Sequence, residues 1–156
     1  MKEQTLALAT HLENVIQGQP WFGRAVFELL EEVDETRAGV SPGENGHSML
    51  DLLYHMITWA SFAEQRILGT EENDQKAFEK MDWRPIDPKI HNWQKGVSEL
   101  RSILENIIDL LRQKEDDFLS KKVDYREYDF HYLITGVTEH TIYHLGQISY
   151  LNKFLG

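Results

Sequence analysis

Hydrophobic residues recur along most of the chain at steps of three and four, the spacing at which side chains share one face of an α-helix. The first such segment, about residues 2–17, ends at Gly18, and Pro20 suits the first position of a continuation to about Glu32 or Val33. No segment shows the sustained period of two, bounded by hairpin turns, that is typical of β-strands. The pattern predicts an all-α protein whose first helix is broken.

A second helix is predicted after a loop, residues 35–47, that contains three glycines and a proline. Ser48 and Asp51 have the spacing in which a serine caps the start of a helix and an acid lies near its positive end. The buried side of this helix is predicted to contain Leu52, Leu53, Met56, Trp59, Ala60, Ala63 and Ile67. Gly69 is placed to end the helix.

A long polar connection, residues 70–87, leads to the third helix. About 18 extended residues span some 60 Å, so this connection is long enough to cross the whole length of a bundle and let the second and third helices lie parallel. Asp87 is expected as the cap of the third helix and Pro88 as its first residue. The core stripe of this helix is predicted to be Ile90, Trp93, Val97, Leu100, Leu104, Ile107 and Leu111.

Residues 113–127 are charged and loop-like, and a last helix is expected over about residues 129–154. Residues 1–156 are therefore predicted to form a single domain, a four-helix bundle with a long crossover between helices 2 and 3. A chain of this size can bury roughly 70% of the surface that its unfolded form exposes. It needs neither disulfides nor a structural metal, so any bound metal is expected to be functional.

Composition excludes several classes of function. The chain has no cysteine, which rules out Cys-ligated zinc, iron–sulfur clusters and thiol nucleophiles. The formal charge of −10 opposes binding to nucleic acid or anionic lipid. No stretch approaches the roughly 20 apolar residues of a membrane span, and the first residues lack the apolar core of a signal peptide. We expect a cytoplasmic protein with neither nucleic acid nor membrane as a partner.

Two histidines occupy core positions of the last helix, whose stripe is Leu133, Val137, His140, His144, Ile148 and Leu151. Because residues i and i+4 lie on the same face one turn apart, both imidazoles can bind one ion at a Zn–N distance of about 2.0–2.1 Å. The alternative is that each buried ring bonds separately to a carbonyl or carboxylate. One shared cation would satisfy both rings at once, and this favours metal binding.

His55 is the best candidate for a third ligand, because it falls at the edge of the apolar face of the second helix. The alternative is an amphipathic ring at a helix boundary. The other four histidines are predicted to be surface residues rather than ligands: His11, His47, His91 and His131.

Residues 136–148, with the sequence GVTEHTIYHLGQI, resemble the last-helix signature of the DinB-like superfamily. That superfamily consists of damage-inducible four-helix bundles with a three-histidine metal site. Three further features resemble the family, namely His55 with Trp59, Pro20-Trp21 and Asp82-Trp83. The resemblance thus extends over essentially the whole chain.

The resemblance implies that His55, His140 and His144 bind a divalent ion, nickel or zinc in relatives, and leave coordination positions for water or substrate. Many relatives have Asp directly after the first histidine of the pair, where this chain has Thr141. Relatives often pair through helix faces, and this chain has more apolar helix surface than one bundle needs. We therefore expect a homodimer.

An open site of three neutral imidazoles leaves the charge of a divalent ion uncompensated, which favours ionisation of a bound thiol or water. Relatives include transferases that use low-molecular-weight thiols such as bacillithiol or mycothiol, so a thiol S-transferase acting on a small molecule is the leading hypothesis. The alternatives are a metal-dependent hydrolase, a non-catalytic metal- or ligand-binding stress-response protein, and a helical interaction module whose histidines only pack. Possible neighbours of the site are Asp51, Tyr54, Glu139, Tyr143 and Gln147. No general base is assigned among them.

Overall fold

The computed structural model describes residues 1–70 and 75–156, and helices are the regular elements of this part of the chain. Its α-helices are α1 (Glu3–Gln17), α2 (Val26–Glu31), α3 (Met49–Leu68), α4 (Gln75–Met81), α5 (Trp93–Gln113) and α6 (Phe130–Leu155). A short 3-10 helix, Asp116–Ser120, lies in the connection between α5 and α6, which was expected to be a loop. The prediction of an all-α protein is confirmed.

The four longest helices share one core. α3 contacts α5 and α6, and α1 contacts the same two helices. The predicted stripe of α5 is buried from Trp93 to Leu111. Apolar side chains with almost no exposed surface come from all four helices, among them Leu12, Ile16, Leu53, Met56, Leu100, Leu104, Ile107 and Ile134. Burial of this apolar surface is the main force that holds the helices together.

α3 and α5 run in the same direction. The Tyr54 hydroxyl donates to the carbonyl of Asn92 (3.2 Å), and the Asn106 amide donates to Glu64 (2.6 Å), so residue numbers rise together along both helices. The connection between them contains α4, whereas a polar connection without a helix was expected. Residues 71–74 of that connection lie outside the described residues. The crossover itself therefore stays a prediction.

Both predicted ends of α3 are confirmed. The Ser48 hydroxyl accepts from the amide of Asp51 (3.0 Å), and the Asp51 carboxylate accepts from the amide of Ser48 (2.8 Å), which satisfies two donors that a helix start would leave unpaired. Gly69 ends the helix with φ of 72°, a left-handed conformation that glycine adopts without a steric penalty.

The predicted start of the third long helix was wrong. The helix begins at Trp93 because the Asn92 side chain, not Asp87, caps it by accepting from the amide of Lys95 (2.8 Å). Asp87 and Pro88 instead begin a separate turn, closed by a bond from the amide of His91 to the carbonyl of Asp87 (2.7 Å). Ile90 lies in that turn and is exposed rather than part of the core.

The broken first helix is confirmed, but its second part does not start at Pro20. Residues 21–24 form turns, and α2 begins only at Val26. Gly23 has φ of 142°, which is incompatible with a continuing α-helix. Phe22 precedes this break and is exposed.

Among residues 1–70 and 75–156, no helix is both long and apolar enough to cross a membrane. The single-domain organisation, the homodimer, the cytoplasmic location and the absence of nucleic-acid and membrane partners stay predictions.

Candidate metal centre

Three imidazole rings converge between α3 and α6. The Nε2 atom of His140 lies 3.0 Å from Nε2 of His55 and 3.1 Å from Nε2 of His144. His55 and His144 are buried, and His140 is partly buried. The three histidines selected from the sequence therefore form one cluster, with a ligand atom of each within 4.8 Å of the others.

Local structure explains why the rings meet. His140 and His144 lie one turn apart on α6, which begins where the Asp129 side chain accepts from the amide of Tyr132 (2.9 Å). His55 lies in the first half of α3, 85 residues before His140. Packing of α3 against α6 brings the single ring to the pair.

Neighbouring side chains fix the tautomer of two of the rings. Nδ1 of His55 donates to a carboxylate oxygen of Asp82 (2.5 Å), and Nδ1 of His144 donates to the amide oxygen of Gln147 (2.6 Å). In a neutral imidazole, a hydrogen on Nδ1 leaves a lone pair on Nε2. Both Nε2 atoms therefore present lone pairs to His140.

This donor set fits a divalent ion. Nε2 of His140 has at most one hydrogen to offer, so without a cation at least one of its two short nitrogen contacts would lack a hydrogen directed between the two nitrogen atoms. Two nitrogens that bind one ion at about 2.0–2.1 Å, with angles between octahedral and tetrahedral values, are about 2.8–3.4 Å apart. The observed 3.0 and 3.1 Å lie inside that range.

The comparison with known families agrees with this geometry. The family model of the DinB superfamily matches residues 22–148, which is more than half of the chain. The chain belongs to the DinB superfamily. No curated protein matches it in a sequence search.

In this DinB-superfamily protein, a turn after α4 supplies the Asp82 carboxylate. The neighbouring Arg84 connects this turn to two helices. Its Nε donates to the carbonyl of Met81 at the end of α4 (3.0 Å), and a terminal nitrogen donates to the hydroxyl of Thr58 in α3. Burial lowers the pKa of Arg84, although the guanidinium stays charged at neutral pH. In the sequence, Asp82 stands out only as part of a family feature, and no spacing identifies it as a partner of His55.

Trp83 covers one side of the cluster. Its ring stacks on His55 at 3.9 Å and, on the opposite face, on His47 at 3.7 Å. Its φ of 48° is uncommon for a bulky residue, and such conformations persist only where surrounding contacts enforce them. His47 is exposed, as predicted, but it lies beside the site through this stack, which the sequence did not indicate.

The remaining candidate neighbours form no hydrogen bond with the three histidines. Asp51 caps α3, the Tyr54 hydroxyl bonds to α5, and Glu139 is exposed. Tyr143 contacts the ring of His144 edge-on at 4.9 Å but is largely exposed. Thr141 donates to the carbonyl of Val137 (2.8 Å), so the residue that replaces the Asp of many relatives is engaged in its own helix.

The electrostatics of the site favour neutral rings. Burial lowers the pKa of His140 to about 4, and the adjacent rings of His144 and His55 act in the same direction. Burial also lowers the pKa of His144, against the opposing effect of its bond to Gln147. Neutral imidazoles are the form that binds metal, so these two ligands need little deprotonation at neutral pH.

We predict that the metal-free protein loses stability as the pH falls below about 6.5. The unfolded chain protonates His140 near its ordinary pKa of about 6.5, whereas the folded chain does so only near pH 4, so this part of the stability is complete above 6.5 and is lost between the two values. The loss between pH 7 and pH 5 should be about 1–2 kcal/mol, measured by urea unfolding in the presence of a chelator. The His140→Gln variant should show a flatter profile in this range. An equally steep profile would contradict the assignment.

We predict that Asp82→Ala weakens metal binding by about 10- to 100-fold, because His55 loses the acceptor that fixes its tautomer. A competition titration of zinc against a chromophoric chelator measures the dissociation constant. Glu79→Ala is the matched control, since Glu79 is an exposed acid on the neighbouring α4. Equal dissociation constants for the two variants would show that Asp82 does not support the site.

Proposed function

We propose that the protein is a metal-dependent transferase that binds one divalent ion, zinc or nickel, through Nε2 of His55, His140 and His144 and acts on a low-molecular-weight thiol. The observation that carries this proposal is the set of three Nε2 atoms with neighbours at 3.0 and 3.1 Å, two of them with lone pairs fixed by Asp82 and Gln147. Membership of the DinB superfamily supports it.

The chain lowers the pKa of His140 and His144, which favours their neutral forms, and orients the rings of His55 and His144. Asp82 and Gln147 each accept the Nδ1 hydrogen of one ring and thereby keep its Nε2 directed at the common point. None of the three ligand side chains is a carboxylate, so the ligands add no negative charge. A divalent ion in such a site supplies Lewis acidity that lowers the pKa of a thiol or a water molecule.

The proposed reaction is a substitution by sulfur. The thiol loses its proton to the medium, the thiolate attacks an electrophilic carbon, and a C–S bond forms. The leaving group departs with the electrons of the broken bond, for example as chloride. No group of the protein has to protonate such a leaving group.

The position of the Asp82 carboxylate favours thiol transfer over hydrolysis. Among the residues that the structure describes, Asp82 is the carboxylate bonded to a ring of the cluster, and its contact is with Nδ1, on the side away from the common point. Hydrolysis of an ester or amide gains much from a positioned acid that protonates the leaving group. Thiol transfer to a halide-bearing carbon does not need one.

Cobalt-loaded protein tests the proposal. Addition of bacillithiol or cysteine should change the visible absorption of the cobalt, and 1-chloro-2,4-dinitrobenzene should then be consumed with release of chloride. The His140→Ala/His144→Ala variant should lose both signals while its far-ultraviolet circular dichroism shows an intact helical fold. If thiols leave the spectrum unchanged and activated esters are hydrolysed, the protein is a hydrolase. Metal binding with neither reaction would indicate a non-catalytic metal-binding protein. Either of these two outcomes would contradict the proposed transferase activity.

A further inference from the structure

A cavity of about 300 Å³ lies between α3 and the first half of α6. Trp59 and Phe62 of α3 form one wall, Tyr132 and Gly136 of α6 form the other, and Tyr128 contributes from the preceding segment. Small-molecule sites in proteins begin at about this volume. The cavity can thus hold one small organic group.

The cavity adjoins the histidine cluster. His140 lines it and at the same time supplies the Nε2 atom that lies between those of His55 and His144. A molecule in the cavity therefore lies beside His140, a residue of the metal centre. In the proposed reaction, the electrophilic substrate must lie beside the thiol that attacks it. A cavity that adjoins the cluster meets this requirement.

The walls select for flat, uncharged groups. Apart from His140, the lining side chains carry no titratable charge at neutral pH, and most of them are aromatic. The aromatic rings support one another: Trp59 packs edge-on against Phe62 at 5.6 Å, and Tyr128 lies 5.1 Å from Tyr132. Arg66 lies over the ring of Phe62 at 5.0 Å. Rigid aromatic walls favour a planar ring that packs edge-to-face or in offset stacks.

Gly136 opens the α6 side of the cavity. A Cβ atom added at this position would meet nothing within 4 Å, and the backbone there does not need the positive φ that only glycine adopts easily. Glycine weakens a helix interior, yet neither packing nor conformation requires it here. The absence of a side chain at residue 136 leaves room inside the cavity.

We propose that this cavity binds the planar, uncharged aromatic or conjugated part of the electrophilic substrate. The inference rests on the proposed function, because it assigns the substrate class of the same site. Trp59, Phe62 and Tyr132 contact the ring of the ligand, and Gly136 sets the size that the cavity accepts. The hydroxyls of Tyr128 and Tyr132 are available to orient a polar substituent on that ring.

Binding of 2-naphthol tests the proposal without any need for turnover. Calorimetry on the zinc-loaded protein should show saturable binding, with much weaker binding of cyclohexylmethanol, which is not planar. On the metal-free protein, where no metal ion attracts a carboxylate, 2-naphthoate should bind much more weakly than 2-naphthol. Gly136→Leu should weaken 2-naphthol binding at least tenfold, and Gly136→Ala should weaken it less. Gly146→Leu is the matched control, because Gly146 lies on the same helix, is exposed, and also has open space around an added Cβ. It should leave binding unchanged.

Cobalt-loaded protein then tests the position of the ligand. The proton signals of bound 2-naphthol should broaden far more with cobalt than with zinc, because the cavity borders the cluster. Saturable binding without this broadening, or equal binding by Gly136→Leu and the parent protein, would overturn the proposal. So would self-association of the protein that buries Tyr132 and excludes 2-naphthol. If 2-naphthol binds as expected to a protein that takes up no metal, the cavity is confirmed as an aromatic site and the proposed function fails instead.

Discussion

Replacing His140 with alanine is expected to weaken divalent-metal binding by more than a hundredfold. Its Nε2 atom contacts those of both His55 and His144, so its loss leaves only two imidazole nitrogens of this cluster to hold the ion. Structural zinc sites bind with about 10–16 kcal/mol shared among four ligands, which corresponds to about 3 kcal/mol for each ligand. A loss of that size is a factor of more than 100 in the dissociation constant.

The experiment compares zinc content and dissociation constants for two variants of the same helix. His131→Ala removes an exposed histidine from the first turn of α6 and should leave metal binding unchanged. Both variants should retain the helical circular dichroism of the parent. Full zinc content in His140→Ala after dialysis against a weak chelator would refute the assignment of this residue as a ligand.

Replacing Leu104 with aspartate should destabilise the fold by more than about 4 kcal/mol or prevent folding altogether. Leu104 lies in the centre of α5 and has no exposed surface. An aspartate at this position would bury an unpaired charge and remove apolar contacts in the core. Urea unfolding followed by circular dichroism measures the change in the free energy of unfolding.

Two further variants keep this prediction testable if the aspartate variant does not fold. Leu104→Ala should unfold reversibly with a loss of about 2–5 kcal/mol, which is typical of a cavity left in a packed core. Ser102→Asp adds the same charge on the exposed side of α5 and should change stability by less than about 0.5 kcal/mol. A Leu104→Ala variant as stable as the parent would show that residue 104 is not in the core.

The sequence predicts most of the fold because helical periodicity and capping are local properties. The stripe from Val97 to Leu111 and the Ser48–Asp51 cap both depend on residues a few positions apart, and both are confirmed. The errors occur where two local signals compete. Asp87 with Pro88 and Asn92 both have residue types that start helices, and the helix begins after Asn92, whose side chain accepts from the amide of Lys95 (2.8 Å).

The part of the candidate site that was predicted also depends on local spacing along one helix. His140 and His144 are one turn apart on one helix, so their spacing alone brings them together. Asp82 lies 27 residues from His55, in a connection without periodicity, so no local rule could pair them. The stack of His47 on Trp83 depends in turn on the conformation of that connection. One sequence signal could have pointed to Asp82. It is an acidic residue next to a tryptophan, and along the chain it lies between the helix of His55 and the helix of His140.

Because the ligands lie far apart along the chain, metal binding affects the stability of the fold. An ion held by both His55 and His140 would close a loop of 85 residues, and the unfolded chain would have to lose the entropy of closing that loop before it could hold the ion at both ligands. The ion therefore binds the folded form in preference, which adds stability that grows with the concentration of free metal. The supply of metal would then set how long the molecule resists proteolysis, in addition to whether its site is filled.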